Sequence, residues 1–105
     1  MNVNNLIING NELTKVSISN CKKVDIYAIV YACNVDNSTV NFLYHIRHNT
    51  FNNSVIYITT QSYFTFDVNV NTFNNCKIFI IGNNTDKQRY MDDIYHKNTL
   101  HNTTI

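Results

Sequence analysis

Apolar and polar residues alternate along most of this chain with period two, the signature of pleated strands, and only the last quarter departs from it. Leu6-Ile7-Ile8 and Leu13 to Ile18 flank Asn9-Gly10-Asn11-Glu12. Asn-Gly tolerates positive φ at both residues, so this segment predicts an N-terminal hairpin. From Val24 to Cys33 both faces are largely apolar: Val24, Ile26, Ala28, Val30 and Ala32 on one, Tyr27, Ile29, Tyr31 and Cys33 on the other. Such a strand is expected in mid-sheet with cover on both sides. Val40, Phe42, Tyr44 and Ile46 alternate with Asn41, Leu43, His45 and Arg47 as in a half-buried strand. Val55 to Thr60 follows, then Phe64, Phe66, Val68 and Val70 facing inward between Tyr63, Thr65, Asp67 and Asn69, then Cys76 to Ile81. Thr85-Asp86-Lys87-Gln88 reads as a capping box, and Tyr90, Met91, Ile94 and Tyr95 recur at helical spacing. A short helix over 85–97 and a loose tail over 98–105 are expected.

One segment occurs twice. Asn49-Thr50-Phe51-Asn52-Asn53-Ser54-Val55-Ile56-Tyr57-Ile58 returns as Asn71-Thr72-Phe73-Asn74-Asn75-Cys76-Lys77-Ile78-Phe79-Ile80, an Asn-rich turn joined to an apolar run. With Asn20-Cys21-Lys22 before Val24-Asp25-Ile26 as a further start, the pattern from Ser17 to Asn84 resembles the coils of right-handed parallel β-helix proteins. The resemblance implies stacked rungs and, for function, a β-helix-like fragment of a carbohydrate-binding protein. Against stacking, the starts at Asn20, Asn37, Asn53 and Asn75 are spaced by 17, 16 and 22 residues, where equal coils need a nearly constant length. An antiparallel meander accommodates the same residues: the strand ending at His48 turns through Asn49–Asn53 into Val55, and the strand ending at Val70 turns likewise into Ile78. The expected fold is therefore one all-β domain over 1–105, a small antiparallel meander forming a two-layer sandwich or partly closed barrel, with an N-terminal hairpin and a short C-terminal helix. In that meander Phe51 and Phe73 sit side by side at one rim. They either plug the core or, ringed by Asn52, Asn53, Asn74 and Asn75, form a contact patch for another protein.

Composition narrows the partners. Eight Lys and Arg against seven Asp and Glu leave a formal charge of +1 on 105 residues, far from the basic excess that draws a protein to phosphate backbones. Apolar residues make up 44% of the chain and fall in defined runs, which argues against disorder despite the abundance of Asn. Asn, Ile, Tyr and Phe enrichment fits an AT-rich coding genome, as in many viruses and phages, and points to that origin. Cys21, Cys33 and Cys76 are odd in number and contain no CxxC pair, so free thiols in a reducing compartment are expected. Met1-Asn2-Val3-Asn4-Asn5 lacks a charged and an apolar leader region, and the run Ile26 to Cys33 is too short to span a bilayer. A cytoplasmic location, or host cytoplasm or virion, and no membrane partner follow. The sequons at Asn37, Asn52, Asn83 and Asn102 arise about as often as so Asn-rich a composition produces by chance.

Chemistry is sparse. His45-x-x-His48 has metal-ligand spacing, but residues three apart on a strand face opposite ways. His96 and His101 lie near the end, Asp25, Asp36 and Asp67 are scattered, and Asp92-Asp93 splay apart on a helix. Cys76 next to Lys77 is a weak candidate nucleophile. No cofactor, metal or catalytic residue is expected. A single-stranded nucleic-acid site on an OB-like barrel would use Lys22, Lys23, Tyr44 and Arg47. The leading expectation is a non-enzymatic protein-interaction or assembly protein that binds a protein partner or itself.

Overall fold

The computed structural model of the chain describes residues 5–42, 45–60 and 68–105. Its strands are β1 (Asn5–Thr14), β2 (Ser17–Ser19), β3 (Lys23–Tyr31), β4 (Asn34–Asp36), β5 (Thr39–Phe42), β6 (Ile46–Arg47), β7 (Thr50–Asn52), β8 (Val55–Thr59), β9 (Val68–Asn69), β10 (Thr72–Asn74), β11 (Lys77–Ile81) and β12 (Thr99–His101). A helix, α1, spans Asn84–Lys97.

Among the described residues every strand pairing is parallel, and the expected antiparallel meander does not form there. The chain winds as a coil. Each turn lays one short strand on a five-stranded sheet, ordered β12-β10-β7-β4-β2, and then crosses to a seven-stranded sheet ordered β11-β8-β5-β3-β6-β9 with β1 alongside β3. The long β3 pairs its first half with β5 and its second half with β6, so the larger sheet curls like half a barrel.

Three sequence expectations change for identifiable reasons. The Asn-rich segments read as hairpin loops are the strands β7 and β10: Phe51 and Phe73 point inward between outward Thr and Asn, and the two triplets pair Thr72 with Thr50, Phe73 with Phe51 and Asn74 with Asn52. The Asn9-Gly10 hairpin is also absent. β1 runs through it with a bulge between Asn9 and Glu12 and lies parallel to β3. The stretch 98–105 is not a loose tail, since β12 adds to the small sheet and Thr104 bridges to Lys77. The spacing objection to stacked rungs fails because inter-strand register, not coil length, fixes the rise. Lys22 is one extra residue at a corner, the lengthening from 16 to 22 falls between Ile58 and Val68, and the last coil carries α1.

Corners make the coil possible. Among the described residues, nine non-glycine residues have positive φ and all mark corners: Asn20, Asn37, Asn53, Asn75 and Asn102 leave the small sheet, and Lys15, Ala32, His48 and Val70 enter it. Asn bears the left-handed region at lower cost than most residues, which explains its recurrence at the first corner. Behind that corner stack Cys21, Ser38, Ser54, Cys76 and Thr103. Cys21 N donates to Ser38 Oγ at 3.0 Å, Ser38 N to Ser54 Oγ at 3.2 Å and Cys76 N to Thr103 Oγ1 at 3.2 Å.

Between the sheets the core is laid down in ranks. Ile18, Val35, Phe51 and Phe73 are fully buried in register with half-buried Leu100; Val24, Val40, Ile56 and Ile78 form a second rank, and Val30, Ile46 and Val68 a third. Each such side chain contributes roughly 1.5–3 kcal/mol relative to exposure. Helix α1 packs on β9 and β11 through Tyr90 and Ile94. Its cap lies two residues before the expected box: Asp86 N donates to Asn83 Oδ1 and Asn83 Nδ2 to Asp86 Oδ2, each at 2.8 Å.

Candidate functional site

The coil buries only one face of β3. Its inward residues Val24, Ile26, Ala28 and Val30 are in the core, while Tyr27, Ile29 and Tyr31 stand outward at 38%, 39% and 39% exposure. On the neighbouring β1, Ile7 is 65% exposed. Cover on both sides, expected from the sequence, is therefore present on one side only, and the outer side of the curled sheet carries a line of large apolar groups. Tyr31 meets the ring of His48 edge-on at 5.2 Å.

Farther along the same outer surface, register places Asp25, Asn41, Tyr57 and Phe79 in one row across β3, β5, β8 and β11. The Tyr57 and Phe79 rings are stacked, with centroids 5.2 Å apart and planes at 20°. Asn41 Nδ2 donates to Asp25 Oδ1 and Thr59 Oγ1 to Asn41 Oδ1, both at 3.5 Å, the outer limit for such bonds. Lys23 Nζ lies 3.9 Å from Asp25 Oδ2. A groove of ≈ 290 Å³ is lined here by Lys22, Lys23, Asp25, Thr39, Asn41, Tyr57 and Ile81.

The residues nominated from sequence fare unevenly. Phe51 and Phe73 are adjacent, as expected, but at 0% exposure and stacked 4.8 Å apart at 7°, so their rings are core and no surface patch contains them. Asn52 and Asn74 are half-buried, joined by Asn74 Nδ2 donating to Asn52 Oδ1 at 2.9 Å; Asn53 and Asn75 are exposed corner residues. Lys22 and Lys23 reach the groove, Arg47 pairs in register with Tyr31 and Asn69 away from it, and Tyr44 lies outside the described residues. His48, His96 and His101 are exposed and His45 is half-buried; among the described residues no group of three or more metal-ligating side chains occurs. Cys21, Cys33 and Cys76 are buried. Burial pushes the Cys76 thiol above its ordinary range, outweighing hydrogen bonds from the backbone of Ser54, Asn74 and Asn53, which is the opposite of nucleophile activation.

Sequence reasoning missed the Asp25-Asn41-Tyr57-Phe79 row. Its signal was present: these residues recur at the coil spacing, and they align once the rungs are stacked. No known family, no curated protein and no solved structure matches the chain. No described helix is long and apolar enough to cross a membrane.

Proposed function

We propose that this is a non-enzymatic interaction or assembly protein, a coiled scaffold that meets a protein partner or a second copy of itself through the outer face of β1 and β3. One observation carries the reading: beyond Asp25, β3 is apolar on both faces, but among the described residues only one face is buried, leaving Ile7, Tyr27, Ile29 and Tyr31 partly exposed. Aligned aromatic and aliphatic groups of this kind mark contact surfaces, whereas single exposed apolar residues need no explanation. The formal charge of +1 puts little long-range repulsion between copies.

Light scattering across a concentration series tests it. Wild-type chain is expected to form a discrete assembly, or to retain a defined partner, and Ile29→Glu to abolish this without lowering the melting temperature. A wild-type chain that stays monomeric to about 1 mM, the weak limit of useful association, and holds no partner that Ile29→Glu releases contradicts the reading.

A further inference from the structure

We infer that the free edge of β1 pairs with β1 of a second copy, antiparallel, about a two-fold axis near the Asn9–Gly10 bond. This rests on the assembly reading above and names its partner and geometry. Among the described residues β1 pairs with β3 alone, so the amides and carbonyls on its other side have no strand beside them. The strand is 10 residues long, contains no Pro and carries one charged side chain, Glu12.

The bulge selects the register. Before it, Leu6 and Ile8 align with buried Val24 and Ile26 and turn inward; after it, Leu13 aligns with buried Val30. Gly10 and Asn11 share the place opposite Ala28, so the inward positions change from even to odd numbers across the bulge. Antiparallel partners point to the same face. Setting Leu6 inward against Leu13 of the other copy therefore also sets Asn5 against Thr14 and Ile7 against Glu12, all outward. An unbulged strand would put inward against outward residues in this register.

A second copy fits this edge better than an unrelated strand. Leu6, Ile8 and Leu13 pack on the core but are only half-buried, and the reversed strand brings the same groups to cover them. The two Glu12 carboxylates meet Ile7 rather than each other and lie about 17 Å apart, beyond the screening length of about 10 Å. Head-to-tail stacking lacks a matching edge among the described residues: at the far end of the sheet Thr104 bridges to Lys77, and α1 packs on β9 and β11. Like ends meet, and the pair is closed. Across the joint Ile29, Glu12 and Ile7 of the other copy form one outward row, which makes the apolar face of β1 and β3 continuous between copies.

The test is the double variant Asn5→Cys with Thr14→Cys, mildly oxidised and run on a non-reducing gel beside each single variant. Both positions are exposed. Within one chain they lie about 30 Å apart, too far for a disulfide, whereas partners across the joint lie at about 5 Å. The double variant is expected to yield at least about tenfold more covalent two-chain species than either single variant. Ile29→Glu sets a carboxylate beside Glu12 and abolishes association whether the copies meet by edge or by face, so it does not separate the two. A wild-type chain that assembles while the double variant gives no covalent pair overturns this inference and leaves the outer-face reading standing. Cross-linking of a single variant as readily as the double overturns it too, since like positions would then meet. So does a wild-type chain whose β1 amides exchange hydrogen no more slowly at about 1 mM than at about 10 μM, a measurement that needs no substitution.

Discussion

Asn71 Oδ1 accepts two hydrogen bonds from Asn49, one from its backbone N at 2.9 Å and one from its Nδ2 at 3.0 Å, inside a corner where both residues are about 1% exposed. The ladder continues on both sides. Asn49 Oδ1 accepts from Cys33 N at 2.8 Å, Asn71 Nδ2 donates to Ile46 O at 2.9 Å, and Asn98 Oδ1 accepts from Asn71 N at 3.0 Å. Each amide thus reaches back to the preceding rung, accepting from a backbone N–H with its oxygen and donating to a backbone carbonyl with its nitrogen. Replacing Asn71 by Ala strands the Asn49 N–H and the Ile46 carbonyl in a dry interior, which costs about 1–3 kcal/mol per group. Asn71→Ala is expected to lower unfolding free energy in urea by roughly 3 kcal/mol or more, and Asn52→Ala, on the outer face, by about 1 kcal/mol or less.

Val70 carries φ 55°, a region that costs a β-branched residue roughly 1–2 kcal/mol, and it is 57% exposed, so little burial compensates. Val70→Asn gives this corner the residue used at Asn53 and Asn75. A gain of about 1 kcal/mol in denaturant stability is expected. A loss would mean that the Val70 side chain has a packing role the corner does not show.

Gly82 has φ 157°, and a Cβ built there collides with Thr60 Oγ1 and sits 3.0 Å from Thr60 Cβ. Thr60 N in turn donates to Ile81 O at 2.8 Å, so the two segments cannot easily separate. Gly82→Ala should destabilise by about 2 kcal/mol or more, with partial recovery in the double variant carrying Thr60→Gly. Thermal melting of the two single variants and the double variant reads the coupling directly.

Cys76 occupies a corner position that Ser38 and Ser54 fill in the rungs before it, and its Sγ approaches Asn74 O at 3.3 Å as Ser54 Oγ approaches Asn52 O at 2.8 Å. Cys76→Ser should therefore fold with a stability change of about 1 kcal/mol or less at pH 7. Burial raises the folded-state thiol above its ordinary value of 9.0, so the unfolded chain loses this proton first. The stabilisation is complete below pH 9.0 and falls as pH rises from there towards the raised folded value. Urea melts from pH 7 to pH 10.5 should show less decline in Cys76→Ser than in wild type, by up to about 1.4 kcal/mol per pH unit.

How much of this was legible in the residues depends on which physical signal each segment carries. The strands at Val24, Val40, Val55 and Lys77 announce themselves by alternation, and the helix by the spacing of Tyr90 and Ile94. Strand direction has no such local mark. Alternation reads the same for parallel and antiparallel neighbours, and a three-residue strand such as Thr50-Phe51-Asn52 between two tight corners has the composition of a loop. Asn in the left-handed region is as much a turn signal in a hairpin as at the corner of a coil, so the twin Asn-rich segments supported the meander. The starts at Asn20, Asn37, Asn53 and Asn75 were correctly identified as equivalent points, and all of them are corners. Unequal spacing concealed the stacking, because insertions at one corner leave inter-strand register untouched.

The candidate site was less accessible for the same reason. Lys22 and Lys23 were singled out and do border the groove, but the row from Asp25 to Phe79 becomes adjacent only through register across four strands. Phe51 and Phe73 were placed together correctly and assigned to two alternative environments, of which the interior is the one observed.

Scalar couplings across hydrogen bonds, measured by NMR on the labelled chain, examine the winding itself. In the parallel coil Thr50 N–H couples to the Cys33 carbonyl, Thr72 N–H to that of Asn49, Val55 N–H to that of Ser38 and Lys77 N–H to that of Ser54, with donor–acceptor distances of 3.0, 2.9, 3.0 and 3.1 Å. Detection of these four couplings is the expected result. Reciprocal N–H to carbonyl pairs between the segments around Ile46 and Val55, as antiparallel neighbours make, would contradict the coil and with it both binding surfaces.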